Sequence, residues 1–173
     1  MPSSRAKLAE QYSLKAMAAS ARGQHETAVA LFKEACTLEP EAGVLWYNLG
    51  IEYLALEKPN QALEAFQKAL TYGEDSAELY NNIGLAQYAL HEYIKAEQSF
   101  STALMKHPAY PEALNNLGVL CFVQKQYEEA RHFFEQAVAC NAHYQDALIN
   151  LRDTYEMLGL YELADKIAKQ IDL

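Results

Sequence analysis

Four asparagines in this 173-residue chain are evenly spaced along the sequence. They are Asn48, Asn82, Asn116 and Asn150. A carboxamide both donates and accepts hydrogen bonds, so a row of them can pair with the backbone of an extended peptide without reading its side chains. The spacing therefore predicts either a peptide-binding surface or a residue type that a repeating structure needs for itself.

Residue patterns for catalysis or metal binding are absent from the sequence. No HExxH, glycine-rich phosphate loop or GxSxG motif occurs, and the five histidines are scattered. The cysteines are odd in number and lack CxxC spacing, which indicates neither a disulfide framework nor a zinc site. They are Cys36, Cys121 and Cys140. We predict that the protein is not an enzyme, binds no metal or cofactor, and carries these cysteines as small buried thiols.

Small and aromatic residues follow the same step as the asparagines. The series are Ala28, Ala62, Ala96, Ala130 and Ala164; Phe32, Phe66, Phe100 and Phe134; and Gly50, Gly84 and Gly118. Within each period the apolar residues recur every three or four positions, which is typical of amphipathic helices. A fixed period of this length indicates stacked helix-turn-helix repeats.

One period carries a recognisable motif. It reads Trp46-x2-Leu49-Gly50-x2-Tyr53, followed by Ala62, Phe66 and Ala69. The pattern resembles the tetratricopeptide repeat, whose period of about 34 residues is also the interval between Asn48 and Asn82. The resemblance implies an all-α fold, an α-solenoid in which about five helix pairs form a right-handed superhelix with a concave groove. We expect residues 1–173 to form a single domain, with repeats at about 9–42, 43–76, 77–110, 111–144 and 145–173.

In that family the first helix of each repeat lines the groove, which suggests further contact residues beside the asparagines. Tyr47, Asn81 and Asn115 precede them by one position. Leu85 and Val119 follow one helical turn later. Tyr88 and Phe122 lie about one turn further on. These residues predict an apolar groove with a row of amides, unless asparagine is simply the usual residue of the repeat at this position.

The charge of the chain limits the kind of partner. Its formal net charge is −9 and its pI is about 5.0, which argues against nucleic acid because phosphates are bound chiefly by Lys and Arg. Asp153 and Glu156 replace apolar residues in the last repeat and make that end of the groove acidic, which favours a neutral-to-basic peptide.

A carboxylate clamp is the means by which some family members hold the acidic tails of Hsp70 and Hsp90. The corresponding positions here are Ser13 and Met17, or Tyr47 and Ile51, and they lack the lysine and arginine of that clamp. The sequence therefore argues against acidic tails as partners, because they would meet uncompensated carboxylates.

The fifth repeat departs from the others. Arg152 stands in the position of Gly118, and Ala168 stands in the position of Phe134. This change predicts a face that meets solvent rather than another repeat. It also predicts an exposed patch around Leu163, Ile167 and Ile171, which could support self-association.

These features favour a protein-binding adaptor, chaperone or scaffold that holds a peptide in its groove. The alternative is a structural assembly subunit that uses its ends or its convex face. Neither a signal-peptide core nor a membrane-spanning apolar run occurs, so we expect a cytoplasmic protein that binds no membrane.

Overall fold

The computed structural model describes residues 4–171. This part of the chain contains ten α-helices and no strand. The helices are α1 (Ser4–Ser20), α2 (His25–Leu38), α3 (Gly43–Ala55), α4 (Pro59–Thr71), α5 (Ala77–Ala89), α6 (Tyr93–Lys106), α7 (Pro111–Val123), α8 (Tyr127–Cys140), α9 (Gln145–Met157) and α10 (Tyr161–Ile171). The predicted all-α class with helix-turn-helix repeats is confirmed.

Helix boundaries follow the sequence signals closely. The helices α3, α5, α7 and α9 begin at the first residue of a predicted repeat or within one residue of it. Pro59 and Pro111 stand in the first turns of α4 and α7, where a missing backbone N–H has no intrahelical partner to lose. The helix α1 begins earlier than the predicted start of the first repeat, and Arg5 in its first turn donates a hydrogen bond to the carbonyl of Thr37 at 2.9 Å.

The described helices group into two compact units, the first ending at Glu92 and the second beginning at Tyr93. In the first unit, Phe32 and Phe66 are buried among alanines of neighbouring helices. In the second unit, Phe134, Leu151 and Tyr155 form a core of the same kind. That residues 1–173 fold as a single domain stays a prediction, and the limits 1 and 173 lie outside the described residues.

A glycine facing a phenylalanine sets the distance between the two helices of a repeat. A Cβ atom added to Gly118 would lie 2.5 Å from Cε1 of Phe134, and one added to Gly50 would overlap the ring of Phe66 in the same way. In the first repeat Ala16 stands at the glycine position, so α1 and α2 accommodate one methyl group there. The rings of Phe66 and Phe134 therefore pack directly against helix backbone.

The turn inside each repeat uses the left-handed backbone region. Gly23, Glu57, His91, Lys125 and Gly159 have φ between 55° and 73° and recur at the same interval as the asparagines. The residue after each of them donates its N–H to a carbonyl five residues earlier, for example Gln126 to Cys121 at 2.9 Å. This is the hydrogen bond of a Schellman motif, and it ends the first helix of every repeat.

Replacing Gly118 with alanine should lower the free energy of unfolding by about 1–3 kcal/mol, because the new methyl group must displace the ring of Phe134. Alanine normally stabilises a helix relative to glycine, so a loss of stability would show that the methyl group overlaps the ring. Urea unfolding followed by circular dichroism measures it. Combined with Phe134→Leu, the loss of stability should be smaller than the sum of the losses of the two single variants. A Gly118→Ala chain more stable than wild type would contradict the close contact.

Replacing Lys125 with glycine should raise the free energy of unfolding by about 0.5–1 kcal/mol. A left-handed backbone costs a residue with a Cβ about 1–2 kcal/mol, and the greater freedom of glycine in the unfolded chain offsets part of that gain. The reverse change, Gly159→Ala, is the matched control and should destabilise the fold. Equal urea midpoints for wild type and Lys125→Gly would contradict this account of the turn.

Candidate functional site

The predicted asparagines of the first unit lie on the first helices of their repeats and are half-buried. The Nδ2 group of Asn82 on α5 donates a hydrogen bond to the hydroxyl oxygen of Tyr47 on α3 at 3.2 Å. The ring of Tyr47 lies 6.2 Å from that of Phe66, and burial, aided by the nearby Glu78, raises its pKa. The contact therefore joins two successive repeats from within a partly buried layer.

The second unit contains the equivalent bond. The Nδ2 group of Asn150 on α9 donates to the side-chain oxygen of Asn115 on α7 at 3.0 Å. In both units the donor stands 35 residues after the acceptor, so an asparagine of one repeat bonds to a side chain of the repeat before it. Asn82 and Asn150 thus each link two successive repeats through a side-chain hydrogen bond. Each bond uses one of the two N–H groups of its carboxamide, and the chemistry of the group provides a second N–H and an acceptor oxygen.

Asn81 and Asn115 are more buried than their spacing indicates. Each is 5% exposed, which leaves little side-chain surface for a ligand. Their contact with a peptide stays a prediction, but their position is that of core residues. Spacing alone does not predict this burial, because the residue next to an exposed position on a helix can be either buried or exposed.

A pocket of about 310 Å³ opens between α1, α2 and α3; we call it the first pocket. Its lining consists of Met17, Ser20, Ala21, Phe32, Asn48, Ile51 and Glu52. The buried ring of Phe32 contributes to its wall beside the carboxamide of Asn48. The pocket therefore combines apolar surface with hydrogen-bonding groups.

A smaller pocket of about 70 Å³ lies between α7, α8 and α9; we call it the second pocket. Its lining consists of Val119, Phe122, Phe134, Asn150 and Asp153. Each of these residues stands three repeat lengths after a lining residue of the first pocket. The structure therefore brings together four of the predicted contact residues in the second unit. A pocket lies at the equivalent positions of the first unit.

Other predicted contact residues lie on the first helices of their repeats, outside the two pockets. Leu85 and Tyr88 on α5 and Asn116 on α7 are half-buried, and Glu156 on α9 is exposed. Asp153 lies beside Arg152, whose Nη2 approaches its Oδ1 at 2.6 Å. This partly exposed ion pair offsets the charge of Asp153, so the acidity expected at the end of the last repeat rests mainly on Glu156.

Glu52 is a pocket residue that the spacing of the repeat does not identify. Its side chain lines the first pocket although the residue is only 4% exposed, and its Oε2 atom lies 2.8 Å from Nδ1 of His25. The signal was present in the repeat, because the equivalent positions hold Ala86, Leu120 and Thr154. A carboxylate at a position that is otherwise small or apolar indicates a role specific to this repeat. Its partner, His25, cannot be predicted from the spacing of the sequence.

A second kind of cleft, of about 340 Å³, lies between α2, α3 and α4 on another face of α3. Trp46 and Tyr53 line it, and the Nζ atom of Lys68 lies 4.0 Å from the centre of the Trp46 ring. The indole N–H of Trp46 donates to the carbonyl of Pro40 at 2.7 Å. These contacts fix the position of the Trp46 side chain. We therefore interpret the residues of this cleft as part of the packing between helices and not as a binding site.

The cysteines do not form one class. Cys36 is buried, and burial raises its pKa to about 12, which keeps the thiol protonated and unreactive at neutral pH. Cys121 is half-buried, and burial raises its pKa as well. The prediction of a buried thiol is wrong for Cys140, which is exposed at the last position of α8. That position follows the last apolar contact of the helix, and spacing alone did not separate the two faces there.

Within residues 4–171, no helix is both long and apolar enough to cross a bilayer. The same range holds no group of three or more His, Cys, Asp or Glu side chains placed to bind a metal ion.

The helix pairs recur at one fixed interval and are each closed by the same turn, and four of the five described pairs contain a buried phenylalanine at the same position. Such an arrangement defines a helical-repeat protein of the solenoid class. Family models described as tetratricopeptide repeat match residues 9–41, 44–75 and 84–145. The chain belongs to the tetratricopeptide repeat family. No curated protein matches the sequence.

Solved structures share this fold at low sequence identity. PilF of Pseudomonas aeruginosa is 21% identical with a TM-score of 0.86, over 98% of this chain and 78% of that one. MamA of Desulfovibrio magneticus RS-1, from residue 41 to its end, is 18% identical with a TM-score of 0.81, over 98% and 94%. YrrB, described as a TPR protein with an unusual peptide-binding site, is 22% identical with a TM-score of 0.70, over 98% and 91%. At these identities the likeness concerns the fold.

Replacing Asn150 with alanine should lower the free energy of unfolding by about 1 kcal/mol, because the buried side-chain oxygen of Asn115 loses its donor. A double-mutant cycle with Asn115→Ala, measured by urea unfolding, isolates the coupling between the two side chains. A coupling near zero would show that the bond does not stabilise the repeat interface.

Proposed function

We propose that this chain is a non-enzymatic protein-interaction module, an adaptor, chaperone or scaffold, that binds an extended neutral-to-basic peptide on the first helices of its repeats. Tetratricopeptide repeat proteins generally mediate protein–protein interactions, which sets the class. The observation that carries the finer proposal is the recurrence of one pocket at equivalent positions in the two units.

The chemistry of the pockets suits peptide side chains. Each has an aromatic ring in its wall, Phe32 or Phe134, and a carboxamide beside it, Asn48 or Asn150. Apolar surface favours burial of a side chain, while an amide can bond the backbone that carries it. Of the other predicted contacts, Val119 lines the second pocket, and Leu85 and Tyr88 lie on α5, the first helix of the third repeat.

The preferred charge of the peptide follows from the charge of the chain. A net charge of −9 repels nucleic acid and acidic tails, including those of Hsp70 and Hsp90. It attracts a peptide that carries lysine or arginine. The absence of enzymatic activity and the cytoplasmic location stay predictions.

Self-association is a second candidate function, favoured by exposed apolar side chains outside the pockets. Ile94 and Met105 are 74% and 76% exposed on α6, and three helical turns separate them along one face. Of the patch predicted at the last helix, Leu163 is exposed, while Ile167 packs against the core of the second unit. A subunit that assembles through such a surface would need no peptide pocket.

Peptides selected on the wild-type chain from a random 12-residue phage library provide the test. Met17→Arg in the first pocket or Asp153→Arg in the second should weaken a selected peptide at least about 10-fold, measured by fluorescence anisotropy, because arginine fills the pocket and repels a basic ligand. Met105→Arg, an exposed apolar position on α6, is the matched control and should leave the affinity unchanged.

Two results would contradict the proposal. One is a library that yields no binding peptide. The other is equal binding by all three variants, which would place the peptide elsewhere. If either result came with sedimentation of the wild type above its 19.5 kDa monomer mass, the assembly function would replace the peptide-binding one.

A further inference from the structure

His25 and Glu52 depart together from the repeat. The positions equivalent to His25 hold Pro59, Tyr93, Tyr127 and Tyr161, and those equivalent to Glu52 hold small or apolar residues or threonine. The two side chains meet at 2.8 Å, between the start of α2 and the middle of α3. A paired departure of this kind places one negative charge at a position where the other repeats are neutral.

We propose that the first pocket binds the side chain of a lysine or arginine in the partner peptide, with Glu52 as its counter-ion. The inference rests on the proposed peptide-binding function and assigns a chemical class to one of its subsites. It differs from the acidic end predicted at Asp153 and Glu156, because it places the selective carboxylate in the first unit.

The shape of the first pocket fits such a side chain. Met17, Phe32 and Ile51 supply apolar surface for the methylene groups, and Glu52 supplies the charge. Lysine and arginine commonly bury their stems along apolar surface and keep the charged end in a polar site. At about 310 Å³ the pocket lies near the lower limit for ligand sites, which suits one side chain better than a larger molecule.

The electrostatics favour a cation. Glu52 is removed from water almost completely, and a buried carboxylate is costly unless it is paired and hydrogen-bonded. The bond to His25 involves Oε2, one of two carboxylate oxygens. The first pocket borders the same carboxylate, so an ammonium or guanidinium that enters it would pair with Glu52 through charge-assisted hydrogen bonds.

The second pocket provides an internal comparison. The residue equivalent to Glu52 is Thr154, which is fully buried and donates its hydroxyl to the carbonyl of Asn150 on its own helix at 2.6 Å. The acid that does line that pocket, Asp153, is paired with Arg152. Selection of a cation is therefore expected at the first pocket and not at the second.

A purely structural role for the pair gives a different expectation. If Glu52 only fastens the start of α2 to α3 through His25, then Glu52→Gln should change stability and leave peptide selection as it was. Glutamine has the same shape and still accepts a hydrogen bond from His25, so it removes the charge and keeps the packing. The two interpretations therefore separate in one substitution.

The test pans a random 12-residue phage library on the full chain as wild type, Glu52→Gln and Glu64→Gln. Glu64 is an exposed carboxylate in the cleft on the other face of α3 and serves as the matched control. We expect wild type and Glu64→Gln to select peptides with Lys or Arg at one fixed position, and Glu52→Gln to lose that preference. Circular dichroism and the urea midpoint establish that each variant is folded, and Glu52→Ala, which matches Ala86, replaces Glu52→Gln if the latter does not fold.

A selected peptide and its Lys→norleucine analogue then complete a double-mutant cycle by fluorescence anisotropy. Glu52→Gln should weaken the lysine peptide about 10- to 100-fold and leave the norleucine peptide nearly unchanged. Selected peptides without a fixed cation, or with a cation preference that survives Glu52→Gln, would overturn the inference and leave peptide binding standing. Failure of all three chains to select any peptide would overturn peptide binding itself, and this inference with it.

Discussion

The contact between a glycine on one helix and a phenylalanine ring on the next is the constraint on which the helix pairs α3–α4 and α7–α8 depend. The ring of Phe66 or Phe134 lies where a Cβ atom would otherwise be, so the two helices approach until aromatic carbon touches backbone. Buried alanines such as Ala62 and Ala130 permit the same closeness along the pair. Because this contact fixes the spacing of the helices, it also fixes which side chains of the first helix remain outside the core. The pocket beside Phe134 is a direct result, since the same ring contributes to the core and to the pocket wall, and Phe32 has both roles in the first repeat.

Departures from the repeat show how the chain becomes specific. In the fifth repeat both members of the contact change, with Arg152 in place of glycine and Ala168 in place of phenylalanine, so a large side chain is added where the ring is lost. In the first unit His25 and Glu52 change together and place a charge at the edge of a pocket. Residues that recur in every period hold the helices together. Two residues that change together, as His25 and Glu52 do, give one part of the chain a property that the other repeats lack.

Most of the fold could be predicted because the period itself carries the information. The starts of α3, α7 and α9 were predicted from Gly43, Pro111 and Gln145 because apolar spacing and proline act locally. The hydrogen bonds of Asn82 and Asn150 could not be predicted, since they depend on how far one repeat is displaced from the next. The partner of Asp153 was missed for another reason: neighbouring residues on a helix do not usually face each other, yet the long side chain of Arg152 folds back onto the adjacent carboxylate. Glu52 could not be identified because its partner His25 lies 27 residues earlier on another helix, and local spacing does not show how the two helices pack.

The uniform turn has a consequence for how such a chain can change in length. Gly23, Glu57, His91, Lys125 and Gly159 all adopt the same backbone and are followed by the same closing hydrogen bond, although their side chains differ in size and charge. Duplication or loss of one whole period would keep every one of these local bonds and leave the asparagine series in phase. Insertion of a single residue within a first helix would instead turn all later side chains of that helix by about 100° and carry its asparagine away from the pocket. The natural unit of evolutionary growth in this chain is therefore the complete repeat.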